Sequence, residues 1–345
     1  MNIHEYEFPR ASKALSRRLN RIWLKRHFNN DKNGSHLEEY ERLRQEFVEM
    51  TQDSFKRLSL EPIVVDATIK TKDLKRLIAK NLPLVVRDFA NQWRAVEEWD
   101  FNFFIEHYGE IEIPLFNNIQ EMVSADYDLR IDKFGSILEA INRGEKEEYP
   151  RFLNLINEYP KLQEAVDLNT LKKLRTSPSY IYFFQLFIGY EGSRSKMHSA
   201  IDHNFFVQIY GEKQWIIYPC CYNHYLMANI DRAPYFTSDF DFFQQSDHQY
   251  QCMQEMPYYE VTLRPGDMLF NPAFFWHDVI NLNPSIGLGF RWFNPIDIVK
   301  LDLTKTLLTV CAFNPPFWKT RPYRKNGLQY YVDQAKLRAS NRSAK

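Results

Sequence analysis

The sequence predicts a mainly β protein with flanking helices, its core a double-stranded β-helix, or jelly roll. Three observations carry this. Between residues 179 and 294 the chain runs through SYIYFFQLFIGY, NFFVQIYG, KQWIIYP, YYEVTL, DMLFNP and IGLGFRWF, short aromatic-rich segments separated by Gly, Pro, Asn and Asp. Successive short strands with turn residues between them indicate a jelly roll or barrel. The 27 Phe and 20 Tyr suit pleated surfaces and lined pockets, and weigh against a coiled coil or a disordered chain. At 345 residues the chain is long enough for one large domain with appended helices or for two modest ones.

The elements follow in order. Residues 1–60 read as a helical brace. Ser35 followed by Glu38 is a capping-box signature, and Leu37, Tyr40, Leu43, Phe47 and Met50 then recur at three- and four-residue steps. Residues 61–296 read as the main domain. Its first strands, at 63–65 and 82–86, flank the helical stretch TKDLKRLIAKN, and 111–116 reads as a further strand. Residues 134–175 are charged and helical in character, an insertion over one face, with GEKEE a solvated turn inside it. The core strands occupy 179–294. Residues 297–345 make a C-terminal helix and, from Lys319, a basic tail. In that helix Val299, Leu301, Leu303, Leu307, Leu308 and Cys311 fall at helical spacing after the core has ended. Such a stripe predicts docking on the chain's own N-terminal helices or a homodimer.

Bulk properties narrow the function. Lys+Arg and Asp+Glu are both 44, so no global field draws the chain to nucleic acid or an anionic membrane, and neither partner is expected. No apolar run reaches the ~20 residues a membrane span needs, and the first residues lack the pattern of a secretory signal. The four cysteines show no CxxC spacing and read as thiols of a reducing cytoplasm.

Two of the nine histidines stand where metal ligation is expected. His198 lies in GYEGSRSKMHSAIDHNFFVQIYGEKQW, at a strand entry after a glycine-bearing turn. His277 lies in RPGDMLFNPAFFWHDVINL, where a Pro-Gly-Asp turn, a strand and an aromatic pair lead to it. On composition alone such histidines are core residues; the surrounding spacing reverses that. His203, His224 and His248 have no supporting pattern and read as structural. Tyr180, Tyr182 and Gln185, on the strand before the turn, read as one pocket wall.

These segments resemble the JmjC/cupin-like iron(II)- and 2-oxoglutarate-dependent oxygenases, and among them the asparaginyl hydroxylases. The family pattern is a His, an acidic residue two positions on, an Asn six on and a Lys fifteen on, with a hydroxyl residue three before. His198, Asn204, Lys213 and Ser195 stand at those offsets, and PGDMLFNPAFFWHDVIN is similar to the family's second-ligand segment. The strong match covers residues 180–294 and weakens back to Glu61. The resemblance implies iron held by His198 and His277, the far carboxylate of 2-oxoglutarate on Lys213 with Ser195 assisting, and Asn204 beside the metal. Arg291, on a late strand, falls where the family places a polar residue near the cosubstrate, and with Tyr182 is assigned to cofactor binding.

Where the family has its acidic ligand, this chain has Ala200. A carboxylate and a metal-bound keto acid would leave ferrous iron neutral; alanine leaves one positive charge and one open position. Chloride could fill it, as in related halogenases with a small residue there. Asp202 or Asp278 could substitute, although Asp202 lies ~13 Å from His198 along an extended strand and needs a tight turn to reach. The alanine could also mark an engineered hydroxylase or a silent binding protein. The expected enzyme oxidises an unactivated C–H bond of an amino acid, or of a peptide or protein side chain, by halogenation or hydroxylation.

Overall fold

The computed structural model describes residues 10–28, 36–56, 59–115, 130–145, 150, 153–176, 182–230, 235–244 and 248–311. Tyr180, the Ser35 cap and the basic tail lie outside these.

The brace is two helices, α1 (Arg10–Phe28) and α2 (Leu37–Lys56). On α1, Leu15, Leu19, Ile22 and Trp23 are buried; on α2 the buried face is Tyr40, Leu43, Phe47, Thr51 and Phe55. Leu37 and Met50, the ends of the expected stripe, are exposed, because a helical face drifts away from strict three- and four-residue steps. Both helices pack on the segment around residues 222–225. Trp23 lies 4.5 Å from the His224 ring and Phe55 lies 4.9 Å from Tyr222, while Arg44 donates to the His224 carbonyl at 2.9 Å. Since Trp23 is 1% exposed, Trp23→Ala is expected to destabilise the chain by about 3–5 kcal/mol, read as a lower urea midpoint with an unchanged slope.

Thirteen strands of the described residues form two sheets and a small ribbon. The larger sheet runs β1 (Ile63–Asp66), β2 (Leu84–Arg87), β11 (Met268–Asn271), β7 (His203–Tyr210), β13 (Ser285–Trp292), β5 (Tyr182–Gly189). The smaller runs β10 (Tyr259–Leu263), β8 (Lys213–Tyr218), β12 (Trp276–Asn281), β6 (Arg194–Ser199), β9 (Phe236–Thr237). Apart from the parallel pair β1–β2 every pairing within them is antiparallel, the jelly-roll arrangement that the strand run predicts. The expected strand at 111–116 is β3 (Glu112–Leu115), paired with β4 (Arg130–Lys133) in the ribbon.

The larger sheet is covered on its outer face by the helices of residues 71–108 and 134–174. Phe205, Val207 and Ile209 of β7, and Ile286, Leu288, Phe290 and Trp292 of β13, belong to the same apolar cluster as Trp99, Phe104, Phe134 and Leu171. Alternate residues of these strands face inward. On β13 the inner row reads Ser285, Gly287, Gly289, Arg291, so three small residues leave space inside the barrel before one long cation enters it.

The single C-terminal helix expected at 297–312 is broken in two, Pro295–Leu301 and Leu303–Val310. Asp302 between them caps the second, accepting from the Lys305 backbone N–H at 2.9 Å. This region docks on α1, where His27 Nε2 donates to the Cys311 carbonyl at 2.9 Å. Leu308 is buried, whereas Val299, Leu303 and Leu307 are exposed. Among the described residues no helix is long and apolar enough to cross a membrane.

Candidate functional site

Between the sheets lies a narrow cavity lined by Ser195, His198, Asn204, Lys213, His277 and Arg291 together with aromatic and aliphatic side chains. Six of the eight residues singled out from the sequence therefore converge on one space.

His198 and His277 are cross-strand partners on β6 and β12, with ring centroids 4.1 Å apart. Ser195 and His198 are three apart and in a regular strand would face opposite ways. The ladder between β6 and β12 slips here, so that residues 195–198 oppose 277–279. That bulge turns both side chains into the cavity. The His198 Nδ1 donates to the Lys196 carbonyl at 2.8 Å, and the His277 Nδ1 to the Phe275 carbonyl at 3.1 Å. A carbonyl can only accept, so both rings carry a proton on Nδ1, the tautomer in which Nε2 is the basic nitrogen. Asn271 meets the same His277 nitrogen at 3.2 Å; the proton there requires its amide oxygen to face the ring. Burial, aided by the Arg291 and Lys305 cations, holds His277 well below the usual histidine range, which favours the neutral ring. Trp215 stacks on it at 5.4 Å.

Lys213 follows the β7–β8 hairpin, whose Gly211 adopts φ +67 with a neighbouring backbone so close that any Cβ would overlap Pro284. The lysine is 1% exposed, and its Nζ lies 4.9 Å from the Phe206 ring centre. It is level with Asn281 on β12, four residues beyond His277, so the ammonium and the histidine pair belong to different levels of the cavity. Several polar groups lining it have no protein partner: both atoms of the Asn204 amide, Arg291 Nε and Trp215 Nε1. Buried donors left open in this way mark a seat for a polar ligand.

Gly287 keeps the seat open, because a Cβ there would overlap the Phe206 ring. Gly287→Ala is expected to cost about 1–3 kcal/mol of stability by overpacking, checked by thermal and urea denaturation.

Ala200 sits just beyond β6. It is buried and its carbonyl accepts from Phe274 N–H at 2.7 Å. Phe274 has φ +62, a left-handed conformation unusual for a bulky residue. Its own carbonyl accepts from Ser199 Oγ at 2.9 Å and from the buried Lys305 Nζ at 3.4 Å. The C-terminal helix thus clamps the loop between the two histidine strands.

No substitute carboxylate completes the histidine pair: among the described residues no group of three His, Cys, Asp or Glu side chains could hold a metal. Asp278 neighbours His277 on the strand and so points to its opposite face, where it accepts from Arg194 at 2.6 Å. Burial pushes its carboxyl up to about 6 against the pull of that guanidinium. Asp202 is buried in the bend after β6 and joins no such group.

The donor set fits a divalent metal on two imidazoles with its remaining positions open to small ligands. It also fits an elongated dianion reaching from the histidines to Lys213.

Tyr182 does not belong to this site. It is 38% exposed, meets Phe184 edge-on and Phe290 at a tilt, and lies under Arg175 at 4.7 Å. Tyr182 and Gln185 are an odd number of residues apart, so they occupy opposite faces of β5 and never formed one wall. Sequence reasoning missed Asn271, Trp215 and the two glycines of β13. The period-two pattern of IGLGFRW carried the glycine signal; nothing local marked Asn271.

Residues 70–297, about two thirds of the chain, match the family described as the Cupin-like domain. The chain is 24% identical over 220 residues to Jumonji C domain-containing protein 5 of Drosophila melanogaster, covering 61% of this chain and 54% of that protein. To the arginine-specific demethylase JMJ20 of Arabidopsis thaliana it is 20% identical over 258 residues, 65% and 55% of the two chains. To the 2-oxoglutarate and iron-dependent oxygenase JMJD4 of Homo sapiens it is 23% identical over 254 residues, 66% and 60%. The chain spans about half the length of the curated relatives it matches. By its strands, its cavity and this match, the chain belongs to the Cupin-like domain family, alongside relatives that carry the JmjC name.

Proposed function

We propose that the chain is an iron(II)- and 2-oxoglutarate-dependent oxygenase acting on a C–H bond of an amino-acid side chain, free or within a peptide or protein. The observation that carries this is the pair of buried imidazoles, each held through Nδ1 by a backbone carbonyl, at one level of a cavity whose other level holds a buried lysine. His198 and His277 would hold the metal, and Lys213 with Ser195 the far carboxylate of 2-oxoglutarate. Asn204 serves as a catalytic amide beside the metal. When bound, the iron would activate dioxygen, which is the oxidant, and 2-oxoglutarate would supply two of the four electrons that dioxygen takes up, the C–H bond supplying the other two. The chain's residues hold the iron and 2-oxoglutarate, keep His277 neutral and exclude water. The name of the arginine-specific demethylase relative supports an amino-acid side chain as substrate, and that of the oxygenase relative supports iron and 2-oxoglutarate as cofactors. Free cysteines support a reducing, cytoplasmic setting, and the exposed row Ile296, Val299, Leu303 and Leu307 supports a homodimer through the C-terminal helices.

Within this reading Ala200 leaves the third metal position to an anion from solution, and chloride would make the enzyme a halogenase. The absence of a third protein carboxylate among the described residues favours it. Chloride is then expected to tighten 2-oxoglutarate binding to the iron-loaded protein and to alter the iron spectrum. Ala200→Asp is expected to abolish both responses. If halide changes neither binding, spectrum nor product, the halogenase reading falls and hydroxylation or a silent binding role remains; succinate release by the Asp variant separates those two.

A further inference from the structure

The cavity holds two buried cations at different levels and no carboxylate. Lys213 and Arg291 are 1% and 5% exposed, and no Asp or Glu is among the residues lining the space. Lys213 pairs in register with Asn281, roughly 13 Å along β12 from His277. Arg291 stands elsewhere. Its cross-strand neighbour is Asn204, whose other neighbour is Asn271, and Asn271 touches His277. The row Arg291, Asn204, Asn271 therefore runs across the larger sheet at the level of the histidine pair. Arg291 Nε and both amide atoms of Asn204 have no protein partner, and among the described residues no carboxylate forms an ion pair with Arg291. A buried guanidinium without an anion is costly, and its planar fork is shaped for a carboxylate.

We propose that Arg291 and Asn204 form a second carboxylate subsite, beside the histidine pair and separate from Lys213. Two sources have this chemistry: the keto-acid end of 2-oxoglutarate itself, or a carboxylate borne by the substrate. Which one applies rests on the proposed function; the subsite does not. Counting charges favours a separate anion. Ferrous iron with Lys213 and Arg291 sums to four positive charges, 2-oxoglutarate cancels two, and Ala200 withholds the carboxylate that would cancel a third. An acidic substrate, together with a metal-bound anion, completes the balance.

The test is calorimetric binding to the full chain with manganese(II), a redox-silent stand-in for iron, comparing the native protein with Arg291→Gln and Arg291→Lys. The probes are 2-oxoglutarate, 2-oxobutyrate (the same keto-acid end without the far carboxylate), and acetate added to protein saturated with 2-oxoglutarate. Loss of the charged fork is expected to weaken at least one probe by about 10- to 100-fold, with Arg291→Lys recovering part of it. Weakening of 2-oxoglutarate and 2-oxobutyrate alike assigns the subsite to the cosubstrate. Weakening of acetate alone assigns it to a carboxylate-bearing substrate. Equal binding of all three probes by native protein and both variants overturns the proposal. Should the native chain bind no 2-oxoglutarate yet bind acetate to the unsaturated protein through Arg291, the subsite stands and the proposed cosubstrate falls.

Discussion

Replacing either His198 or His277 with alanine is expected to lower iron(II) affinity by more than about 100-fold, above the loss from removing a mere outer partner of a metal ligand. The effect is large because the chain supplies so few ligands. A site with two histidines and a carboxylate keeps two ligands after such a change, whereas this one keeps a single imidazole. The fold should survive, since each ring makes few polar contacts in the protein, chiefly one Nδ1 donation to a backbone carbonyl two residues earlier. Anaerobic iron titration, with circular dichroism as the folding control, checks it. Retention of near-native affinity in both variants would mean that the metal is held elsewhere.

Lys213→Met is expected to weaken 2-oxoglutarate by about 10²- to 10⁴-fold, the consequence of burying a carboxylate without its cation, about 3–5 kcal/mol. Methionine removes the ammonium that lies over the Phe206 ring but keeps an unbranched apolar side chain of similar length, so the cavity is expected to keep its shape. Iron affinity in the absence of 2-oxoglutarate should stay at the native value, because the lysine and the histidine pair sit at opposite levels. Calorimetry with each ligand separates the two effects. An equal loss of iron and 2-oxoglutarate would indicate collapse of the barrel.

Most of the frame was legible in the residues. Short aromatic-rich segments such as NFFVQIYG and IGLGFRWF announced the strands, and the Gly, Pro, Asn and Asp residues between them marked the turns; which face of each strand looks outward came only with the packing of the helices. His198 and His277 were legible through their spacing to Ser195, Asn204 and Lys213. What stayed hidden depends on contacts between distant segments. The bulge that brings Ser195 to the face of His198 exists only because β6 must pair with β12. Asn271 meets His277 across a loop whose shape is set by Phe274 at positive φ and by Lys305 from the C-terminal helix. Asp302 broke a helix whose apolar spacing runs on without interruption, since a carboxylate that caps one helix ends the other. Tyr182 was misplaced for a simpler reason: a three-residue step in a strand changes face.

The most direct measurement is iron(II) binding to the purified chain, with and without 2-oxoglutarate, under anaerobic conditions. The account predicts one iron per chain, bound at least about tenfold more tightly when 2-oxoglutarate is present, because the dianion offsets positive charge that two neutral imidazoles cannot. Iron binding that is absent, or that ignores 2-oxoglutarate, would contradict it.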